Sequence, residues 1–174
     1  MAKEEKDIHI IITGSRNAGI SSFINQKAGE YEAHDESGMG IDIQSAPVYV
    51  NNAEYNILFY EIASTFPLDS LKKIFQKKHV GLAVMFDLAN PVSLEFAELI
   101  YTQIAEKLGT KLPRIKFLLG SHLDLPKAMP QESIDALIST MGGNTYYLEF
   151  SAKTGERLSE SLEQMAKRIL GKSQ

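Results

Sequence analysis

The apolar run Ile8-His9-Ile10-Ile11-Ile12 is followed at once by Gly14-Ser15-Arg16-Asn17-Ala18-Gly19-Ile20-Ser21, and then by Ser22-Phe23-Ile24-Asn25. A short, β-branched, nearly continuous apolar run marks a strand buried on both faces, and such strands belong to parallel sheets covered by helices. Glycine lets the next turn curl until successive N–H groups converge on one point, and a helix start beyond it adds a dipole that favours an anion. Glycines at the first and sixth positions and a hydroxyl at the eighth match the spacing of a phosphate-binding loop. The seventh position, where that motif carries lysine, is Ile20. The candidate cradle is therefore Gly14, Arg16, Asn17, Ala18, Gly19, Ile20, Ser21 and Ser22, without its principal cation.

The rest of the chain alternates strand and helix signals. A helix is expected over Ser21 to Lys27, then a polar surface loop over Ala28 to Gly40. Strands over Ile43 to Val50 and Glu54 to Tyr60 flank Asn51-Asn52, a pair that tolerates the positive φ of a tight hairpin. An irregular stretch leads to a helix over Leu68 to Lys78, and Val80 to Asp87 reads as another buried strand. Pro91 opens a helix striped by Leu94, Ala97, Tyr101, Ile104 and Leu108, and Gly109 ends it. A strand over Ile115 to Leu119 and a helix striped by Ile134, Leu137, Ile138 and Met141 follow. The last pair is a strand over Tyr146 to Phe150 and a helix striped by Leu158, Leu162, Met165 and Ile169. This order predicts one domain over residues 1–174, an α/β three-layer sandwich with a mostly parallel sheet of about six strands. Ligands of such sheets bind beyond the carboxyl ends of the strands. Three segments fall there: the glycine loop, Gly120 to Asp124, and Ser151-Ala152-Lys153.

Charge and composition exclude several classes. A formal net charge of −4 gives no electrostatic reason to expect nucleic acid or an anionic membrane as partner. With no cysteine there is no disulfide, no thiolate nucleophile and no prenyl or palmitoyl acceptor. Ala2 replaces the glycine that myristoylation needs, and no signal peptide or membrane span is evident, so a cytoplasmic protein without a direct membrane anchor is expected. His9, His34, His79 and His122 lack the spacing of a metal site. Two charge clusters stand out. Lys72, Lys73, Lys77, Lys78 and His79 crowd the end of the second helix, as a solvated face or a docking patch for an acidic partner. Glu30, Glu32, Asp35 and Glu36 make the first long loop acidic.

Over nearly its whole length the chain resembles a Ras-superfamily small GTPase, most like the Rab and Ras branches. The resemblance rests on the glycine loop, on Tyr60-Glu61-Ile62-Ala63-Ser64-Thr65 in place of a Trp-Asp-Thr-Ala-Gly-Gln stretch, and on Ser151-Ala152-Lys153. It implies GTP or GDP with magnesium as cofactor, with Ser21 as the hydroxyl that would ligate the metal and Asp124 as the reader of the guanine. It also implies protein partners at two switch-like regions, Ser37 to Asp42 and Glu61 to Leu71. The departures are chemical. Gly38 stands where the family places a magnesium-sensing threonine, and Ser37 is one residue out of register. Glu61 lengthens the second-switch aspartate, Ser64 replaces a glycine, and Thr65 replaces the glutamine that orients water. Of the Asn-Lys-x-Asp motif only Asp124 remains, with Ser121 and His122 at the other positions.

A phosphate-bound ammonium is worth roughly 4 kcal/mol for a unit pair about 4 Å apart at an effective dielectric near 20. Ile20 forfeits that interaction, and Arg16 is the candidate replacement across the loop, against the plainer reading of a solvated turn arginine. The combined changes imply a pseudo-GTPase that acts as a protein-interaction module, with weak or absent nucleotide binding and negligible hydrolysis. Two alternatives stay open at this point: a nucleotide switch working through a lysine-free loop, and a pocket retained for a different ligand.

Overall fold

The computed structural model describes residues 6–26, 41, 43–63 and 65–172. Six strands, β1 (Asp7–Gly14), β2 (Ile43–Val50), β3 (Ala53–Glu61), β4 (Val80–Asp87), β5 (Ile115–Ser121) and β6 (Thr145–Glu149), form one sheet in the order β2-β3-β1-β4-β5-β6. Only the β2–β3 pair is antiparallel; every other pairing is parallel. Its hairpin turns on Asn51 and Asn52, with φ of 51° and 63°, the left-handed conformations that asparagine tolerates.

Alternation along the buried strands divides the core in two. Ile8, Ile10 and Ile12 of β1 and Ala83 and Met85 of β4 face α1 (Ile20–Asn25) and α5 (Leu158–Leu170). Ile11, Leu82 and Val84 face the other side, with α2 (Lys72–Phe75), α3 (Pro91–Leu108) and α4 (Gln131–Met141). Phe23 of α1 ties the first core to β3 and to the residue that follows β6, its ring 5.7 Å from Phe59 and 4.6 Å from Phe150. The second is closed by the Tyr101 hydroxyl, which donates to the carbonyl of Met141 at 3.1 Å and so locks α3 to the end of α4. This is the expected α/β three-layer sandwich, with a mostly parallel sheet between helices.

Two helix boundaries differ from expectation. α1 begins one residue early, at Ile20, and ends at Asn25; Lys27 lies outside the described residues. The single helix expected over Leu68 to Lys78 is a 3₁₀ turn, Leu68–Leu71, followed by one α-helical turn ending at Phe75. Its apolar anchors Leu68, Leu71 and Ile74 recur every third residue, the period of a 3₁₀ helix, and beyond Phe75 the polar Gln76, Lys77 and Lys78 are exposed. No helix among the described residues is long and apolar enough to cross a membrane.

Candidate functional site

The glycine loop leaves β1 at the carboxyl edge of the sheet. Gly14 lies against β4 so closely that a Cβ there would be 2.3 Å from the carbonyl oxygen of Met85, and the N–H of Ser15 donates to that same carbonyl at 3.2 Å. The loop turns on an Ala18 N–H to Ser15 carbonyl bond of 3.1 Å, with Asn17 at φ 66°. Gly19, at φ 87° and ψ 30°, then precedes α1, and its carbonyl accepts from Phe23 N–H at 2.9 Å. Both glycines are required, one for close approach and one for the left-handed turn. Ala18 is buried in the first core, whereas Arg16, Asn17, Ser21 and Ser22 are exposed. Arg16 makes no ion pair among the described residues. Ile20, half-buried, packs its side chain against the first core.

Beside this loop stand two others. At the end of β5 the Ser121 hydroxyl donates to the carbonyl of Phe86 at 3.0 Å, tying the strand end to β4. His122, held at φ 59°, brings its Nδ1 to 3.0 Å from Asp87 Oδ1 and 3.2 Å from Ser121 Oγ. The same ring reaches the glycine loop: a Cβ on Gly19 would lie 3.9 Å from His122 Cε1. Asp87 is itself fixed, its Oδ1 accepting from Ala89 N–H at 2.8 Å and its N–H donating to Ser93 Oγ at 2.8 Å. Sequence reasoning did not single out Asp87. Its position as the last residue of a buried strand at the ligand edge was the available signal.

Asp124, exposed, accepts a 2.7 Å hydrogen bond from the Ser151 hydroxyl. Ser151 is fully buried, and its Oγ also accepts from Thr154 N–H at 3.1 Å. The Ser151 bond holds the Asp124 carboxyl below the usual carboxylate range, with Lys153 and His122 adding attraction. Ala152 is half-buried and Lys153 exposed. Glu149 of β6 braces both loops from behind. Burial pushes its carboxyl up, but hydrogen bonds from Lys127 Nζ and Tyr147 OH, each 2.6 Å, outweigh this and leave it lowered. Arg157 Nη1, beyond the Ser151 loop, stands 3.7 Å from the other oxygen.

Removing the Ser151 hydroxyl tests this arrangement. With its folded-state value depressed, Asp124 contributes stability above its unfolded value and loses it as pH falls through the folded one. Ser151→Ala should raise the Asp124 titration midpoint toward the ordinary carboxylate value, read by carbon NMR of its carboxyl. An unmoved midpoint would show that the hydroxyl does not set it.

The structure thus brings together Gly14 to Ser22, Asp124 and Ser151 to Lys153 at one edge of the sheet, with His122 between the loops. Ser37, Gly38, Met39, Gly40, Asp42 and Ser64 lie outside the described residues; Ile41 is buried in the second core. Among the described residues no group of three or more His, Cys, Asp or Glu side chains is placed to hold a metal ion.

Comparison with known proteins finds relatives over nearly the whole chain. The chain is 23% identical over 164 residues to the Ras-related protein Rab-1 of Theileria parva, an alignment covering 94% of this chain and 74% of that protein. It is 24% identical over 161 residues to the Ras-related protein Rab5 of Nicotiana tabacum, covering 92% of this chain and 80% of the relative. Against the Ras and EF-hand domain-containing protein of Danio rerio it is 22% identical over 165 residues, 92% of this chain but only a quarter, 25%, of that much longer protein. The model of the Ras family matches residues 9–171. With that match spanning nearly all of the sequence, the chain belongs to the Ras family.

Proposed function

We propose that this chain is a single-domain pseudo-GTPase, a protein-interaction module of a cytoplasmic trafficking, transport or scaffold complex that binds guanine nucleotide weakly or not at all and hydrolyses it negligibly. The observation that carries the reading is Ile20, an apolar side chain packed against the core at the position where the loop needs a cation. The two ends of the site differ in fit. At the base end, Asp124 is held by Ser151 with Lys153 nearby, an acceptor suited to guanine. At the phosphate end the backbone curl fits an anion, but Ile20 offers no donor, Arg16 is solvated, and Ser21 is the hydroxyl expected to meet magnesium. Phosphoryl transfer depends on positioned water, a metal and charge-stabilising donors together. Thr65 is too short to orient water as a glutamine would. Partners are expected at the switch-like regions, Ser37 to Asp42 and Glu61 to Leu71, since loops positioned by a rigid sheet are where binding concentrates.

The second reading, a nucleotide switch working through a lysine-free loop, is favoured by one observation, the intact Asp124–Ser151 bond. Single-turnover assays with the protein in excess over labelled GTP and magnesium test hydrolysis directly. Phosphate release should match the protein-free control; faster release that persists after repurification would overturn the proposal.

A further inference from the structure

At the end of the sheet opposite the glycine loop, the close of α2 faces the connection between α3 and β5 across the first residue of β4. Phe75, Val80, Leu112 and Pro113 line a groove there of about 250 Å³, together with Lys72, Lys111 and Arg114. The apolar residues are half-buried or, for Pro113, buried, whereas the three cations are exposed. Lys73, Lys77 and Lys78 extend the positive face along and beyond α2. Asp69, on the 3₁₀ turn before α2, is paired with Lys72 at 3.2 Å and feels Lys107 and Lys111. A basic, partly apolar concavity on a chain of net charge −4 is a local concentration of positive charge on an otherwise acidic protein.

We propose that this groove docks an acidic peptide segment of a partner protein that carries one apolar anchor residue. The volume is below that of a small-molecule site and suits a single side chain. The exposed cations would steer acidic flanking residues and set their register, while the desolvated anchor would supply affinity. An anionic bilayer is the poorer occupant, because the site is concave and the whole chain is negatively charged. The surface lies away from the glycine loop, so it operates whether or not nucleotide binds, and its failure would leave the reading of the loop untouched.

Selection of random displayed peptides on the full chain, followed by anisotropy titration of the best synthetic peptide, tests the assignment. Enriched sequences should be acidic around one apolar residue, and rising salt should weaken them. Lys111→Glu with Arg114→Glu should lower the affinity by at least about tenfold, as should serine at the peptide's anchor. Should that double variant melt early, Lys73→Glu with Lys77→Glu reads the same field from exposed positions outside the lining. Peptides without acidic residues, binding that charge reversal does not weaken, or charge-sensitive co-sedimentation with phosphatidylserine vesicles in place of peptide enrichment would each overturn the proposal.

Discussion

Ile20→Lys should raise the affinity of this chain for GDP in magnesium by at least tenfold. Ile20 is the first residue of α1, immediately after the left-handed Gly19, so a side chain there starts from the mouth of the backbone curl. It is half-buried, and a lysine can lay its methylenes over the same apolar surface while carrying its ammonium outward. The substitution should therefore cost little stability. An ammonium about 4 Å from a phosphate oxygen gains roughly 4 kcal/mol at an effective dielectric near 20. Solvent competition and side-chain ordering take back part of this, and each 1.4 kcal/mol retained is about tenfold in affinity. Tenfold is thus a lower bound. Parallel calorimetric titrations of both proteins check it. Equal affinities would mean that Ser121 and His122, at the base end, limit binding instead.

The second large effect is on stability. Gly14→Ala should lower it by about 3 kcal/mol, the upper end of the usual cost of overpacking. The added methyl would sit 2.3 Å from the Met85 carbonyl oxygen and 3.0 Å from its carbonyl carbon and nitrogen. These atoms are backbone of the paired strand, in register with Gly14, so no rotamer change can relieve the clash. β1 and β4 must separate, or the glycine loop must shift. For a chain of this size the loss corresponds to roughly 6 to 12 °C in melting temperature. Gly120→Ala is the useful contrast. Its methyl would meet the Leu88 side chain and the Tyr147 hydroxyl at 3.1 Å, and those groups can move. Thermal melts should place Gly14→Ala well below Gly120→Ala; a melt within about 2 °C of the parent would refute the close-packing argument.

Much of this architecture is legible in the sequence because its central strands are saturated with apolar residues. β4 reads directly from Val80 to Asp87, and the hairpin from Asn51-Asn52. The short α2 is less legible, because Leu68, Leu71 and Phe75 satisfy a helical stripe as well as Leu68, Leu71 and Ile74 satisfy a 3₁₀ one. Packing against the second core chooses between them. At the site, the glycine loop and Ser151-Ala152-Lys153 are visible as motifs because their spacing is local. The His122–Asp87 contact is not, since it exists only because β4 and β5 pair with Asp87 beside Ser121. The brace at Glu149 is hidden for the same reason: Lys127, Tyr147 and Arg157 converge on it only after β6 and the loops around it are placed.

The Ras-family fold carries no obligation to bind nucleotide; that property resides in a few side chains at the carboxyl edge of its sheet. Here the backbone of the loop is kept while its cation is replaced by an apolar side chain that serves the core. Calorimetric titration of GDP and of GTP in magnesium, on protein from which any carried-over nucleotide has been released and identified, tests this most directly. No retained nucleotide and no saturable heat into the high micromolar range are expected. Tight binding of a guanine nucleotide would contradict it and would make Arg16 the first residue to replace.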